Sequence, residues 1–121
     1  MAHAYIVGID PGVTTGVAFF RHGVFDDGEP VTELGRLWRI LENEPPDLIV
    51  LESFYGGAMR QSTAPLQVIG GVKIAAHALG IDMVEQSPSI LQAWKPRAHL
   101  HSNIHVRSAI AHVLYYMDRN P

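Results

Sequence analysis

The chain has 121 residues, 47% hydrophobic and 17% charged, with no cysteine and a formal charge of −3. That length is expected to form one domain over 1–121 whose core needs no covalent staple, and the lack of cysteine excludes disulfide scaffolds, thiolate metal sites and cysteine nucleophiles. No apolar run nears the ~18 residues that cross a bilayer, and no basic segment precedes the apolar N-terminus, so a cytoplasmic protein is expected rather than a secreted or membrane one.

Ala4 to Ile9 is an apolar run ending in Asp10, and Pro11-Gly12 with Thr14, Thr15 and Gly16 reads as a tight turn. Gly16 to Arg21 is a second strand. After His22-Gly23, a third begins at Val24 and Phe25 and ends in Asp26-Asp27-Gly28. From Pro30 to Glu44 the residues Val31, Leu34, Leu37, Trp38 and Leu41 recur at helical steps, and Pro45-Pro46 stops them. Leu48 to Leu51 is continuously apolar, as in a strand buried on both faces, and ends in Glu52.

Phe54 to Thr63 reads as loop. A helix follows from Pro65 to about Leu79, with Gly70-Gly71 suited to a close approach to the sheet and Gly80 as its cap. Ile81 to Val84 is a fifth strand, Pro88 to Trp94 a short helix, and Lys95 to Ser102 a polar loop. The last helix covers Asn103 to Asp118. This order predicts an α/β fold: a five-stranded mixed sheet, made of a three-strand antiparallel meander plus two parallel strands, with helices on both faces.

Asp10 and Glu52 each end an apolar strand. Either acid alone reads as a solvated strand end, and the turn or loop after each is expected to leave its carboxylate exposed. On neighbouring parallel strands the two would lie a few ångströms apart, a pairing that requires either a raised pKa or a cation. Hard oxygen donors favour Mg²⁺ or Mn²⁺. On the last helix His105, Ser108 and His112 share one side beside the apolar stripe Val106, Ile110, Val113 and Met117, which would put the polar side at the helix rim. His101 and His112 read most simply as loop and helix-surface residues.

These segments resemble those of the RuvC group of Holliday junction resolvases, within the RNase H-like superfamily. Ile6 to Gly16 (IVGIDPGVTTG) resembles their first catalytic strand and turn, and Leu48 to Phe54 (LIVLESF) their second. Leu66 to Gly80 is similar to their central helix, and His105 to Ala109 (HVRSA) to their closing motif. The resemblance spans nearly the whole chain and is that of a compact, phage-type member, which would place it in the host cytoplasm.

The resemblance implies a divalent-metal-dependent crossover junction endonuclease that cuts branched DNA as a homodimer and serves DNA recombination and repair. Asp10, Glu52, His105 and Ser108 would form the catalytic site. Asp10 would bridge two ions, Glu52 would bind one or both, and His105 would be the ligand from the last helix. Ser108 stands where the family carries Asp, so the second ion is expected to be weak, with His101 or His112 as the residues that would compensate.

For DNA, Phe54 and Tyr55 are candidates for stacking on an unpaired base, and Arg60, Lys73, Lys95, Arg97 and Arg107 for phosphate contacts. The negative net charge weighs against a nucleic-acid surface, but Lys95, Arg97, Arg107 and Arg119 fall in the final 27 residues, where the one acid is Asp118. Three alternatives stay open: a domain that binds branched DNA without cutting, a nuclease for flaps, forks or RNA–DNA hybrid, and a nucleotide-binding ATPase, whose first phosphate loop has a similar Gly-Asp-Gly pattern.

Overall fold

A computed structural model describes residues 3–53 and 63–121. Its strands are β1 (Tyr5–Asp10), β2 (Thr15–Arg21), β3 (Val24–Val31), β4 (Leu48–Glu52) and β5 (Asp82–Gln86). Its helices are α1 (Leu34–Asn43), α2 (Ala64–Leu79), the one-turn α3 (Leu91–Trp94) and α4 (Ile104–Arg119). The strands form one mixed sheet in the order β3-β2-β1-β4-β5, with β1, β2 and β3 antiparallel and β1, β4 and β5 parallel. No described helix is long and apolar enough to cross a membrane.

Strand periodicity divides the core in two. Val7, Ile9, Val17, Ile49 and Leu51 face α1 and α2, whereas Ile6, Ala18, Phe20, Leu48 and Val50 face α4. The β4 run is buried on both faces for this reason. On α4 the stripe Val106, Ile110 and Val113 is fully buried, each side chain contributing about 1.5–3 kcal/mol by leaving water.

Glycines let α4 lie close to the sheet. A Cβ on Gly8 would meet the Ala109 carbonyl and the Val113 side chain, and one on Gly16 would run into the His105 carbonyl. Gly70 and Gly71, expected to provide such an approach, do not: a Cβ on Gly70 would meet nothing, and one on Gly71 only the Leu34 side chain at 3.7 Å. The close approach lies on the other face of the sheet, where α4 crosses the meander.

Two boundaries also differ from expectation. β3 continues through Pro30 to Val31, which pairs with Thr15, so α1 begins four residues after Pro30. Proline is tolerated there because β3 is an edge strand whose outer side needs no ladder donor. Lys95–Arg97 is a 3₁₀ turn rather than polar loop, and Ala98 after it is fully buried in the α4 core.

The candidate active site

The backbone brings the two acids together. At the start of the parallel pair, the Tyr5 amide donates to Asp47 Oδ2 at 2.8 Å and the Asp47 amide to the Tyr5 carbonyl at 2.9 Å. This sets Ile6 beside Leu48, Gly8 beside Val50 and Ile9 beside Leu51. One step further are Asp10 and Glu52, at the carboxyl ends of adjacent strands. Both have the parity of Ile6 and Val50, so both lie on the face covered by α4. Beyond Asp10, the Thr15 hydroxyl donates to the Gly12 carbonyl at 3.1 Å and closes the turn into β2.

The site is more enclosed than its strand-end position suggests. Glu52 is 3% exposed, not a solvated carboxylate, because α4 lies over the sheet edge. The Asp10 carboxyl is pushed up to about 8, first by burial, then by the charge of Glu52 and a hydrogen bond shared with it; Lys95 and the Ser108 hydroxyl pull the other way. Two carboxylates this close cannot both ionise without a compensating positive charge.

Helix α4 starts at Asn103, whose side chain accepts from the amides of His105 and Val106 and so fixes the phase of the first turn. Ser108 and His112, one turn apart, are the residues it turns onto the acids. The Ser108 hydroxyl lies close enough to Asp10 to favour its charged form, and it donates its hydrogen to the Ile104 carbonyl at 3.3 Å. His112 Nε2 lies 2.8 Å from Glu52 Oε1.

His112 thus corrects the sequence reading, in which it is a helix-surface residue. Its side chain has no exposure at all. Gln86, which no sequence pattern singles out, is the register partner of Glu52 and contacts His112.

The remaining candidates scatter. His105 is half-buried one turn before Ser108, with its carbonyl over Gly16 of β2. It does not join the acids in a ligand cluster, and among the described residues no group of three or more His, Asp or Glu side chains is placed to hold a metal. Lys95 is close enough to act on Asp10, and with His99 and Arg107 it lines an open cleft of about 460 Å³. Arg107 also donates to the His101 carbonyl at 2.7 Å.

Arg97 stacks on Trp94, 4.4 Å from the ring centre. Lys73 pairs with Glu85 at 3.2 Å on the α2 side of the sheet, away from the acids. Phe54, Tyr55 and Arg60 lie outside the described residues.

No protein-family model and no curated protein matches the chain. Solved structures do. RuvC from Thermus thermophilus in complex with a Holliday junction substrate superposes with a TM-score of 0.76 at 19% identity, covering 98% of this chain and 97% of that one. A second Thermus thermophilus RuvC structure gives 0.70 at 18%, covering 95% and 96%. The Fowlpox virus resolvase in complex with Holliday junction DNA gives 0.73 at 13%, covering 94% and 99%. From one end of the described chain to the other, the fold is similar to that of these solved structures.

Proposed function

We propose that this protein is a divalent-metal-dependent endonuclease that hydrolyses phosphodiester bonds in four-way or other branched DNA. The observation that carries this reading is the close Asp10–Glu52 pair at adjacent parallel strand ends, in a fold shared with two resolvases seen on Holliday junction DNA. The pair fits a hard cation: two oxygen donors whose mutual repulsion a divalent charge relieves.

Asp10 and Glu52 would hold one Mg²⁺ or Mn²⁺, with the Ser108 hydroxyl as a neutral oxygen beside Asp10. A second ion would have weaker support, since His105 stands apart. When bound, such a cation supplies Lewis-acid activation of water and charge relief at the phosphate. The chain's own part is to keep both acids on one buried face and to present Lys95, His99 and Arg107 to the DNA backbone at the rim.

A symmetric cut needs two sites, hence a homodimer. Leu34 and Trp38 on α1 and Leu66 and Ile74 on α2 are exposed apolar side chains that support a dimer through this face.

The test is cleavage of a labelled four-way junction beside duplex, fork, flap and RNA–DNA hybrid controls, in Mg²⁺, Mn²⁺ or EDTA. Paired, metal-dependent nicks in the junction are the expected result. Cutting of every branched substrate would broaden the activity to debranching, and cutting of the hybrid alone would replace the substrate. Tight junction binding, equal with and without metal and with no cutting, would favour a binding module; Ser108, neutral where a third acid would serve, is the observation behind that second reading.

Ser108→Asp is expected to tighten Mn²⁺ binding about tenfold by adding a charged ligand. It should also lower the melting temperature of the metal-free protein by crowding a third carboxylate into a buried pair. Calorimetric titration and thermal melts in EDTA read the two effects separately.

A further inference from the structure

Resting on the nuclease reading above, we infer that His112, locked by Gln86, is a positioning residue that aims Glu52 into the site. The inference comes from the direction of a hydrogen-bond chain. The Gln86 amide nitrogen lies 2.9 Å from the His112 carbonyl oxygen and 3.0 Å from His112 Nδ1. A carbonyl can only accept, so the group facing it is the NH₂ end of the amide and not its oxygen. The second hydrogen of that NH₂ then points at Nδ1, which must accept. The ring hydrogen therefore sits on Nε2 and is donated to Glu52 Oε1 at 2.8 Å.

Three elements are needed for this chain. Gln86 and Glu52 are register partners on β5 and β4, and α4 carries the imidazole over both. Ordinary core packing does not account for it, since an apolar side chain would fill the same space without two ring nitrogens to satisfy. Both nitrogens are satisfied, and among the described residues no buried side-chain nitrogen or oxygen lacks a partner.

With Oε1 engaged, Glu52 keeps Oε2 for the site, and rotation of its carboxylate is restrained. The donor is an N–H of an uncharged tautomer, so it orients the acid without competing with a cation for its charge; Lys or Arg at this position would compete. Ser108, one turn earlier, lies beside Asp10, so one helix face carries a polar side chain next to each acid. Residues that orient a metal ligand in this way typically change metal affinity 10–100-fold when removed.

The test uses Mn²⁺ titrated calorimetrically into the full chain, with nitrogen NMR of the histidine rings in the metal-free protein. His112→Leu is expected to weaken Mn²⁺ binding at least tenfold. His112→Gln, whose amide can still donate to Glu52, should recover most of that loss. In the wild type the His112 ring should show its hydrogen on Nε2, and Gln86→Met should mix the two tautomers.

A role in packing alone would lower the melting temperature of both His112 variants without separating their Mn²⁺ affinities, and that result overturns the proposal. A ring hydrogen on Nδ1 in the wild type overturns it as well. If His112→Leu does not fold, Gln86→Met decides: unchanged tautomer and unchanged Mn²⁺ affinity reject the proposal. Wild-type cleavage with unaltered Mn²⁺ binding in His112→Leu removes the role of His112 and leaves the nuclease reading standing. A wild type that binds no Mn²⁺ overturns both.

Discussion

Asp10→Asn is expected to have two opposite effects: a loss of junction cleavage of about a thousandfold or more, and a higher melting temperature for the metal-free protein at pH 8. The first follows if Asp10 is a cation ligand, because a neutral amide lowers the charge that holds the ion; a thousandfold is about 4 kcal/mol of barrier. The second follows from the raised pKa of Asp10, about 8 in the fold against an ordinary 3.8.

Between those values the unfolded chain has released the proton and the folded one retains it. Stability is therefore fully present below about pH 4, falls as the pH rises, and has lost this contribution above about pH 8. Each unit of separation is worth about 1.4 kcal/mol, so even a strongly reduced effect in this shared pair amounts to a few kcal/mol, roughly 10 °C in melting temperature. An asparagine has no such slope.

Thermal melts of both proteins from pH 4 to 9 in EDTA should diverge steadily, with the variant the more stable at the alkaline end. Adding Mg²⁺ should raise the wild type alone. Parallel curves would show that the two acids do not share a proton, and a variant that cuts as well as the wild type would remove Asp10 from the chemistry.

Gly16→Ala is expected to be the most damaging single methyl in the described chain. Gly16 is the register partner of Asp10, and its missing side chain is what admits the His105 carbonyl of α4. An added Cβ meets backbone rather than the free end of a side chain, so the helix has to rise. The buried stripe of Val106, Ile110 and Val113 then loosens, at about 3 kcal/mol or more, within the range of overpacked cores.

Raising α4 also separates Ser108 from Asp10 and His112 from Glu52, so Mn²⁺ affinity and cleavage should fall together with stability in urea. Gly70→Ala is the matching control. Its Cβ enters open space on a helix, and it should gain about 0.5–1 kcal/mol. Wild-type stability in Gly16→Ala would mean that α4 does not sit this close to β2.

Much of the site's skeleton is readable without coordinates. Asp10 and Glu52 stand out because each ends an apolar run before turn or loop residues, and strand periodicity then puts them on one face once their strands are adjacent. The mixed sheet, its meander and the buried stripe of α4 follow from patterns a few residues long, since periods of 2 and 3.6 are local properties of the backbone.

What the sequence alone leaves undecided are relations between distant elements. Whether Pro30 and Val31 extend β3 or open α1 depends on Val31 finding Thr15 across the sheet. Which glycines permit close approach depends on which face α4 crosses, and this selects Gly8 and Gly16 over Gly70 and Gly71. His112 looks like a surface histidine by its spacing, and only its placement over Glu52, 60 residues away, and Gln86, 26 away, gives both ring nitrogens a partner. A polar side chain is buried when others complete its hydrogen bonds, and those others are chosen by tertiary packing, so that burial cannot be read from the chain.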